Sequence, residues 1–240
     1  MKIFSKHRDE LTPETVAEME ALVQAIDPSL PGDHIREDHL NGDAEYYYLG
    51  YDQGKLVAMQ SYKTYCLQTP FHNQPLNVFR GFLTYKLPDH PTKSMTSRTS
   101  IMHMKKTLGR FWMFKPFMAI GYSSNPRLYV QFQRFFPEVY PSMYEPVSTA
   151  LQQFMEELLG EQLGPKLVDR NHVQRQEPVL ITDEFWTHYR VRDEMLQNFY
   201  LDQGIFRQKG QEIQVTGAKQ YLVGIYRPRK GILHLLRNNF

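Results

Sequence analysis

Apolar side chains near the start of the chain recur at helical spacing, three, four and three residues apart. The positions are Val16, Met19, Val23 and Ile26. Thr12 precedes Pro13, a pair that suits an N-cap followed by the first helical position. Together these features predict a helix over residues 13–26. A short strand over 1–5 precedes it, and a short helix over 33–40 follows it.

The next part of the chain changes to the pattern of strands. Residues 45–51 are aromatic and β-prone, and Asp52-Gln53-Gly54 reads as a tight turn. A long strand over 55–67 follows the turn. The segment 76–87 alternates between two faces and predicts the third strand of an antiparallel meander.

The helical period returns in the middle of the chain, where Ile101, Met104, Leu108 and Phe111 share one face. Further segments follow with clear boundaries: a strand over 117–123, a helix over 126–136 and a helix over 147–160. The remaining pattern is weaker. It favours a strand over 166–175 and a helix over 182–200, and it leaves 218–239 undecided between helix and strand.

Composition places the chain among packed globular proteins. Of the 240 residues, 41% are hydrophobic and 22% are charged, which is enough apolar material for a buried core. No apolar stretch approaches the roughly 18 residues of a membrane span, so we expect a cytoplasmic protein without a membrane segment. Cys66 is the only cysteine. A single cysteine excludes a disulfide within the chain. We expect Cys66 to be buried in a strand, and we expect no metal site.

Charge is distributed unevenly along the sequence. Residues 1–56 hold twelve Asp or Glu against five Lys or Arg, whereas residues 90–137 hold eight bases and no acid. An acid-free segment of this length concentrates anions near it, which suggests an anionic ligand. The alternative is that acids of the first segment face these bases across the fold.

The order of predicted elements is strand, helix, helix, three-stranded meander, helix, strand, helix. Over residues 1–137 this order resembles the GNAT superfamily of acyl-CoA N-acyltransferases. The resemblance implies an α/β fold with a mixed, mainly antiparallel sheet flanked by helices. It also implies a GNAT-like core over residues 1–145 and a helical or mixed C-terminal extension over 146–240.

The start of the central helix is the candidate cofactor site. Backbone N–H groups at a helix N-terminus and nearby hydroxyls suit a pyrophosphate, and the resemblance implies acyl-CoA, either acetyl-CoA or a longer acyl-CoA, as co-substrate. The candidate binding residues are Thr92, Lys93, Ser94, Thr96, Ser97, Arg98 and Asn125. The family's loop carries glycines, whereas none occurs here between Thr92 and Gly109. An ordinary Ser/Thr-capped helix without a ligand is the alternative interpretation.

The resemblance also implies direct attack of an amine on the thioester. Tyr129 lies one turn into the helix that follows Asn125, where the family places a tyrosine that serves as general acid. Tyr85 and Ser123 are candidates for holding a water or polarising the thioester carbonyl. Each of the three side chains has a structural alternative as a packing residue, and no carboxylate on the strands over 76–87 or 117–123 stands out as a base.

Two classes of function therefore remain. The first is an acyltransferase that moves an acyl group from acyl-CoA to a small-molecule or peptide amine, with a homodimer as a further assembly. The second is a GNAT-like domain without catalysis that binds a ligand or a protein. Nucleic acid is not expected as a partner, because the basic run at Arg227–Lys230 lacks the interleaved aromatic residues of RNA-binding modules.

One histidine-rich segment, residues 33–39, raises the question of a metal site. On an α-helix, His34 and Asp38 would share a face while His39 would lie off it, unlike the i and i+4 histidines of a zinc helix. We interpret the segment as a short solvated helix.

Overall fold

Antiparallel strands with helices packed against them make up most of the chain, which is described here from a computed structural model. The described residues are 1–70, 72–87, 90, 95–123, 126–144, 149–163, 173–174, 194–209, 212–216 and 219–239. The chain divides into two compact units. Unit 1 comprises residues 1–65 and 79–115, and unit 2 comprises residues 66–78 and 116–240. Among the described helices, none is long and apolar enough to cross a membrane.

Unit 1 is built on four consecutive strands in the order β1-β2-β3-β4. Their bounds are β1 Lys2–His7, β2 Tyr46–Asp52, β3 Lys55–Thr69 and β4 His72–Lys86. Strand β2 pairs antiparallel with both β1 and β3. The turn between β2 and β3 holds Gln53 at φ 48° and Gly54 at φ 81°, the left-handed conformations that a two-residue hairpin turn requires.

Three longer helical segments and two 3-10 helices, Arg8–Glu10 and Trp112–Phe114, accompany these strands in the described part of unit 1. Helix α1 spans Pro13–Ile26, the π-helix spans Ile35–Leu40 and helix α2 spans Met95–Leu108. The Thr12 side chain caps α1 by accepting a hydrogen bond from the Thr15 N–H at 3.3 Å. The structure thus confirms the predicted start of α1 at Pro13.

Alternation along β2 places α1 and α2 on opposite faces of the strands. Tyr47 and Leu49 are buried in one cluster with Met19 and other residues of α1. Tyr48, between them in sequence, forms a hydrogen bond with His103 of α2 instead. Because successive strand side chains point to opposite faces, the two helices cover the two sides of this sheet.

Unit 2 centres on a strand that is distant in sequence from its partners. Its strands include β5 Phe117–Ser123, β6 Glu138–Tyr140, β7 Val173–Gln174, β8 Phe206–Lys209, β9 Glu212–Val215 and β10 Lys219–Tyr226. Strand β10 pairs antiparallel with β5, β6 and β7, and β8 pairs with β9. Strand β10 lies in the predicted extension, yet it pairs with β5 of the predicted core.

Unit 2 has four described helices, which are α3 Pro126–Phe135, α4 Thr149–Leu163, α5 Glu194–Asp202 and α6 Pro228–Asn239. Two of them, α3 and α5, pack in an aromatic core. One cluster joins Tyr129 of α3 to Tyr200 of α5 and Leu222 of β10. At the start of α6, Arg227 and Lys230 each form an ion pair with Glu138 of β6, at 3.2 Å.

The observed elements confirm the predicted fold class, a mixed α/β fold with mainly antiparallel strands flanked by helices. Four details differ from the sequence-based expectation. The segment predicted as a helix over 33–40 is a π-helix, and β4 begins at His72 rather than at 76. Cys66 is exposed, and Phe111 is 66% exposed, so neither is a core residue. Most of the predicted strand over 166–175 and the first part of the predicted helix over 182–200 lie outside the described residues.

Candidate functional site

The first turn of α2 contains the predicted phosphate-binding residues that the structure describes. Thr96 is half-buried, whereas Ser97 and Arg98 are exposed, and the first turn contains no acidic residue. Unpaired N–H groups and the helix dipole favour an anion at such a position. Thr92, Lys93 and Ser94 lie outside the described residues.

The buried side of α2 is tied to the sheet by hydroxyl groups. The Thr99 hydroxyl donates to Gln60 Oε1 at 2.6 Å, and Thr99 is fully buried. Tyr62 Oη lies 3.2 Å from Thr99 Oγ1 and 2.8 Å from Ser100 Oγ. These contacts hold the first turns of α2 against β3, which leaves the side that carries Ser97 and Arg98 open to solvent.

His103 continues this buried network one turn further along α2. It is 1% exposed, its Nδ1 lies 3.0 Å from Tyr48 Oη, and its Nε2 lies 2.7 Å from Thr64 Oγ1. The Tyr62 ring stacks on the imidazole at a centroid distance of 4.7 Å. Burial lowers the pKa of His103 to about 4, and the nearby positive charge of Lys106 acts in the same direction.

The role of His103 was missed in the sequence analysis, which placed only Ile101, Met104, Leu108 and Phe111 on the buried face. The signal was present in the helical spacing, because Thr99 and His103 lie four residues apart on one face of a helix. Since both ring nitrogens of His103 are engaged, it acts as a structural residue that positions α2.

Tyr85, a predicted candidate for holding a water or polarising the thioester, lies near the end of β4 in unit 1. Its hydroxyl oxygen is 3.1 Å from His34 Nε2, and its ring packs against the apolar cluster of α1, β2 and β3. The structure therefore brings Tyr85 together with a histidine that the sequence analysis had assigned to a solvated helix.

Tyr129, the predicted general acid, is fully buried in unit 2. Its hydroxyl oxygen accepts a hydrogen bond from the Met143 N–H at 2.9 Å, and its ring contacts Phe199 at a centroid distance of 5.2 Å. Burial raises the pKa of Tyr129 to about 12. The phenol therefore keeps its proton at neutral pH.

The two other candidates of unit 2 lie at the junction between β5 and α3. Ser123 is the last residue of β5, and its side chain is outside the described part of the chain. Asn125 is likewise outside it. Of the predicted site residues that are described, Thr96, Ser97, Arg98 and Tyr85 belong to unit 1 and Tyr129 belongs to unit 2.

Comparison with known proteins gives no match at the level of sequence. No protein-family model matches the chain, and no curated protein is significantly similar to it.

Solved structures do resemble the chain. An acyl-CoA N-acyltransferase from Pseudomonas aeruginosa is 14% identical with a TM-score of 0.38, and the match covers 59% of this chain and 92% of that chain. Escherichia coli ElaA is 17% identical with a TM-score of 0.36, and the match covers 59% of this chain and 93% of ElaA. An aminoglycoside 6'-acetyltransferase type Ii is 14% identical with a TM-score of 0.40, and the match covers 59% of this chain and 87% of the acetyltransferase.

Proposed function

We propose that this protein transfers an acyl group from an acyl-CoA thioester to an amine. The observation that carries the proposal is the first turn of α2. It is a helix start free of acidic residues, with Ser97 and Arg98 exposed and the opposite side fixed by Thr99 to the sheet. Such a turn offers backbone N–H groups, hydroxyls and a guanidinium to a pyrophosphate.

Charge in the surrounding segment supports the same ligand. The described residues of unit 1 after β4 include Arg98, Lys105, Lys106, Arg110 and Lys115 but no Asp or Glu. A cationic surface of this kind raises the local concentration of a polyanion such as CoA. Lys93 would add to the same charge.

The reaction would proceed by direct transfer. The amine nitrogen attacks the thioester carbonyl carbon, a C–N bond forms and the C–S bond breaks, and the leaving thiolate takes up a proton. The attacking amine loses one proton to a water or base. Tyr85 and Ser123 remain the predicted groups for holding that water or polarising the carbonyl.

Tyr129 is the proposed donor to the leaving thiolate. Its oxygen accepts the Met143 N–H, so its own hydroxyl hydrogen is free to point in another direction. Burial raises the pKa of this phenol to about 12, so it is protonated at neutral pH, as a proton donor must be.

A domain that binds a ligand or a protein without catalysis is the second candidate function. The burial of Tyr129 favours this second function. The side chain is 0% exposed, and its packing between α3 and α5 is sufficient to explain its position without any reaction. The two functions differ in one observable, the release of free CoA thiol.

Thiol release tests the proposal directly. The chain with Cys66→Ser would be mixed with acetyl-CoA or a longer acyl-CoA and a panel of small-molecule and peptide amines, and free thiol would be followed with a chromogenic reagent. The substitution removes the exposed thiol of the protein, which would otherwise react. We expect thiol release that requires both substrates.

Two variants separate the functions. Arg98→Ala should raise the KM for acyl-CoA about tenfold by removing a charge-assisted contact, while Arg207→Ala, at an exposed arginine of β8, should leave it unchanged. Saturable CoA binding without thiol release from any amine would favour the non-catalytic domain. Absence of CoA binding would contradict the acyltransferase proposal.

A further inference from the structure

The π-helix Ile35–Leu40 brings two histidines together that an α-helix would separate. The Asn41 N–H donates to the Arg36 carbonyl at 3.3 Å, an i to i+5 bond that widens the helical turn. Residues five apart then lie on one face, and the rings of His34 and His39 contact each other at a centroid distance of 4.9 Å and an angle of 87°. The sequence analysis separated this pair because it assumed α-helical winding.

Three polar atoms converge at this point. His34 Nε2 lies 3.2 Å from His39 Nε2 and 3.1 Å from Tyr85 Oη. A ring nitrogen has a single in-plane lone pair or a single N–H, so only one of these two contacts can be a well-directed hydrogen bond of His34 Nε2. Both distances from His34 Nε2 are also those between neighbouring ligand atoms of one bound cation.

Buried groups hold the backbone of the segment from Ile35 to His39 in place. Glu20, which is 8% exposed, accepts the N–H groups of Ile35 and Arg36, each at 3.1 Å. Tyr47 Oη donates to the His39 carbonyl at 3.1 Å. The segment between the two histidines is therefore fixed by α1 and β2, as a preformed ligand set requires.

We propose that His34, His39 and Tyr85 form a binding site for a divalent transition metal of the zinc type. Two imidazole nitrogens at about 2.0–2.1 Å from one tetrahedral zinc ion lie about 3.3 Å apart, and the separation here is 3.2 Å. Imidazole ligands favour Zn²⁺, Cu²⁺ and Ni²⁺ over Mg²⁺ or Ca²⁺. The described residues hold no group of three or more His, Cys, Asp or Glu that could bind a metal. The proposed site therefore has two histidine ligands, with the Tyr85 phenol, as phenolate, as the third ligand and water completing the shell.

The proposed metal would connect the π-helix to the end of β4. His34 and His39 lie at the two ends of the widened turn, and Tyr85 lies near the end of the strand that precedes α2. This inference does not depend on acyl transfer. A metal on Tyr85 would leave Ser123 as the group proposed to hold the water or polarise the thioester carbonyl.

Calorimetric titration of Zn²⁺ into the full chain tests the site. The titration would use the Cys66→Ser chain, because an exposed thiol can bind zinc on its own. We expect saturable binding of one Zn²⁺ per chain. His34→Gln and His39→Gln should each weaken binding tenfold or more, and Tyr85→Phe should weaken it by a smaller factor.

His72→Gln is the matched control, because His72 lies at the start of β4 in unit 2 and its Nδ1 contacts the Gln74 carbonyl. It should bind Zn²⁺ as the parent does. Binding that is absent in the parent, or that is unchanged in both His34→Gln and His39→Gln, would overturn the proposal and leave a hydrogen-bonded histidine pair.

A measurement on the chain with all histidines in place guards against misfolded variants. Nitrogen-15 NMR of labelled histidine should show that one equivalent of Zn²⁺ shifts the Nε2 signals of two residues and leaves the others unchanged. No shift, or an equal shift of all histidines, would contradict the site.

Discussion

At the scale of single residues, His103 is the clearest case of a polar side chain that is buried for structural reasons. Its two ring nitrogens contact Tyr48 and Thr64, and burial lowers its pKa to about 4 from the ordinary histidine value of 6.5. The folded state therefore prefers neutral His103, while the unfolded chain binds a proton at about pH 6.5.

A pH-dependent loss of stability follows from this difference. Above about pH 6.5 the imidazole is neutral in both states, so it does not change the free energy of unfolding with pH. Between about pH 6.5 and 4 only the unfolded state takes up the proton, so the free energy of unfolding falls by up to about 3 kcal/mol. Urea unfolding at pH 7.0 and pH 4.5 should show this loss.

The variant His103→Gln isolates the contribution of the imidazole, because other groups titrate equally in both proteins. The variant should lose less stability than the parent between the two pH values. An identical loss in both proteins would show that His103 is not the group that titrates.

Tyr129→Phe tests the proposed acid and the packing role together. Loss of the hydroxyl leaves the Met143 N–H without its acceptor, so the free energy of unfolding should fall by about 1 kcal/mol. If the phenol donates the proton to the thiolate, kcat should fall about 10²-fold or more with little change in KM. Steady-state kinetics and urea unfolding measure the two effects, and an unchanged kcat would remove Tyr129 from the reaction.

At the scale of elements, the packing of α3 on β10 depends on a glycine. The ring of Phe136, which follows α3, lies directly over Gly224 of β10, and a Cβ at this position would overlap with ring atoms. Gly224→Ala should therefore lower the free energy of unfolding by about 1–3 kcal/mol. Thermal or urea unfolding provides the measurement.

Gly32→Ala is the control for this substitution, since no atom lies within 4 Å of the added Cβ. It should change stability by no more than about 0.5 kcal/mol. Phe136→Leu combined with Gly224→Ala should cost less than the sum of the single changes. If Gly224→Ala is as stable as the parent, the ring of Phe136 does not pack directly against Gly224.

Elements stabilised by local signals were predictable from the sequence. The helix over 13–26 and the strand over 117–123 have the predicted bounds, because Thr12-Pro13 and Pro116 mark their ends. The N-terminal part of β4, which contains Pro75, was missed. Proline lacks an N–H but is tolerated where a strand lies at an edge or outside the hydrogen-bonded ladder.

Elements determined by distant contacts were not predictable. Strand β10 is ambiguous in sequence because its apolar run, residues 221–226, is short, and its partner β5 lies about a hundred residues earlier. The π-helix was missed because its widened turn depends on Glu20 of α1 accepting two N–H groups. Of the candidate site, the charge and hydroxyls at the start of α2 were predictable, whereas the pairing of His34 with His39 required the structure.

At the scale of the whole molecule, charge separates the chain into an acidic beginning and a basic middle. Twelve acids occur in residues 1–56 and none in residues 90–137. Among the described residues, Lys63 and Arg80 approach Asp43, at 3.3 and 3.8 Å. Arg98, by contrast, is exposed at the start of α2, where its charge is available to an anion.

The most direct test of the central claim is thermal unfolding with CoA or acetyl-CoA at millimolar concentration. A ligand at about 100 times its Kd stabilises the folded state by about 2.7 kcal/mol, which is a rise of several degrees in Tm for a chain of this size. The account predicts a dose-dependent rise that Arg98→Ala weakens and Arg207→Ala does not. No rise with either ligand, or a rise that Arg98→Ala leaves unchanged, would contradict acyl-CoA binding at the start of α2.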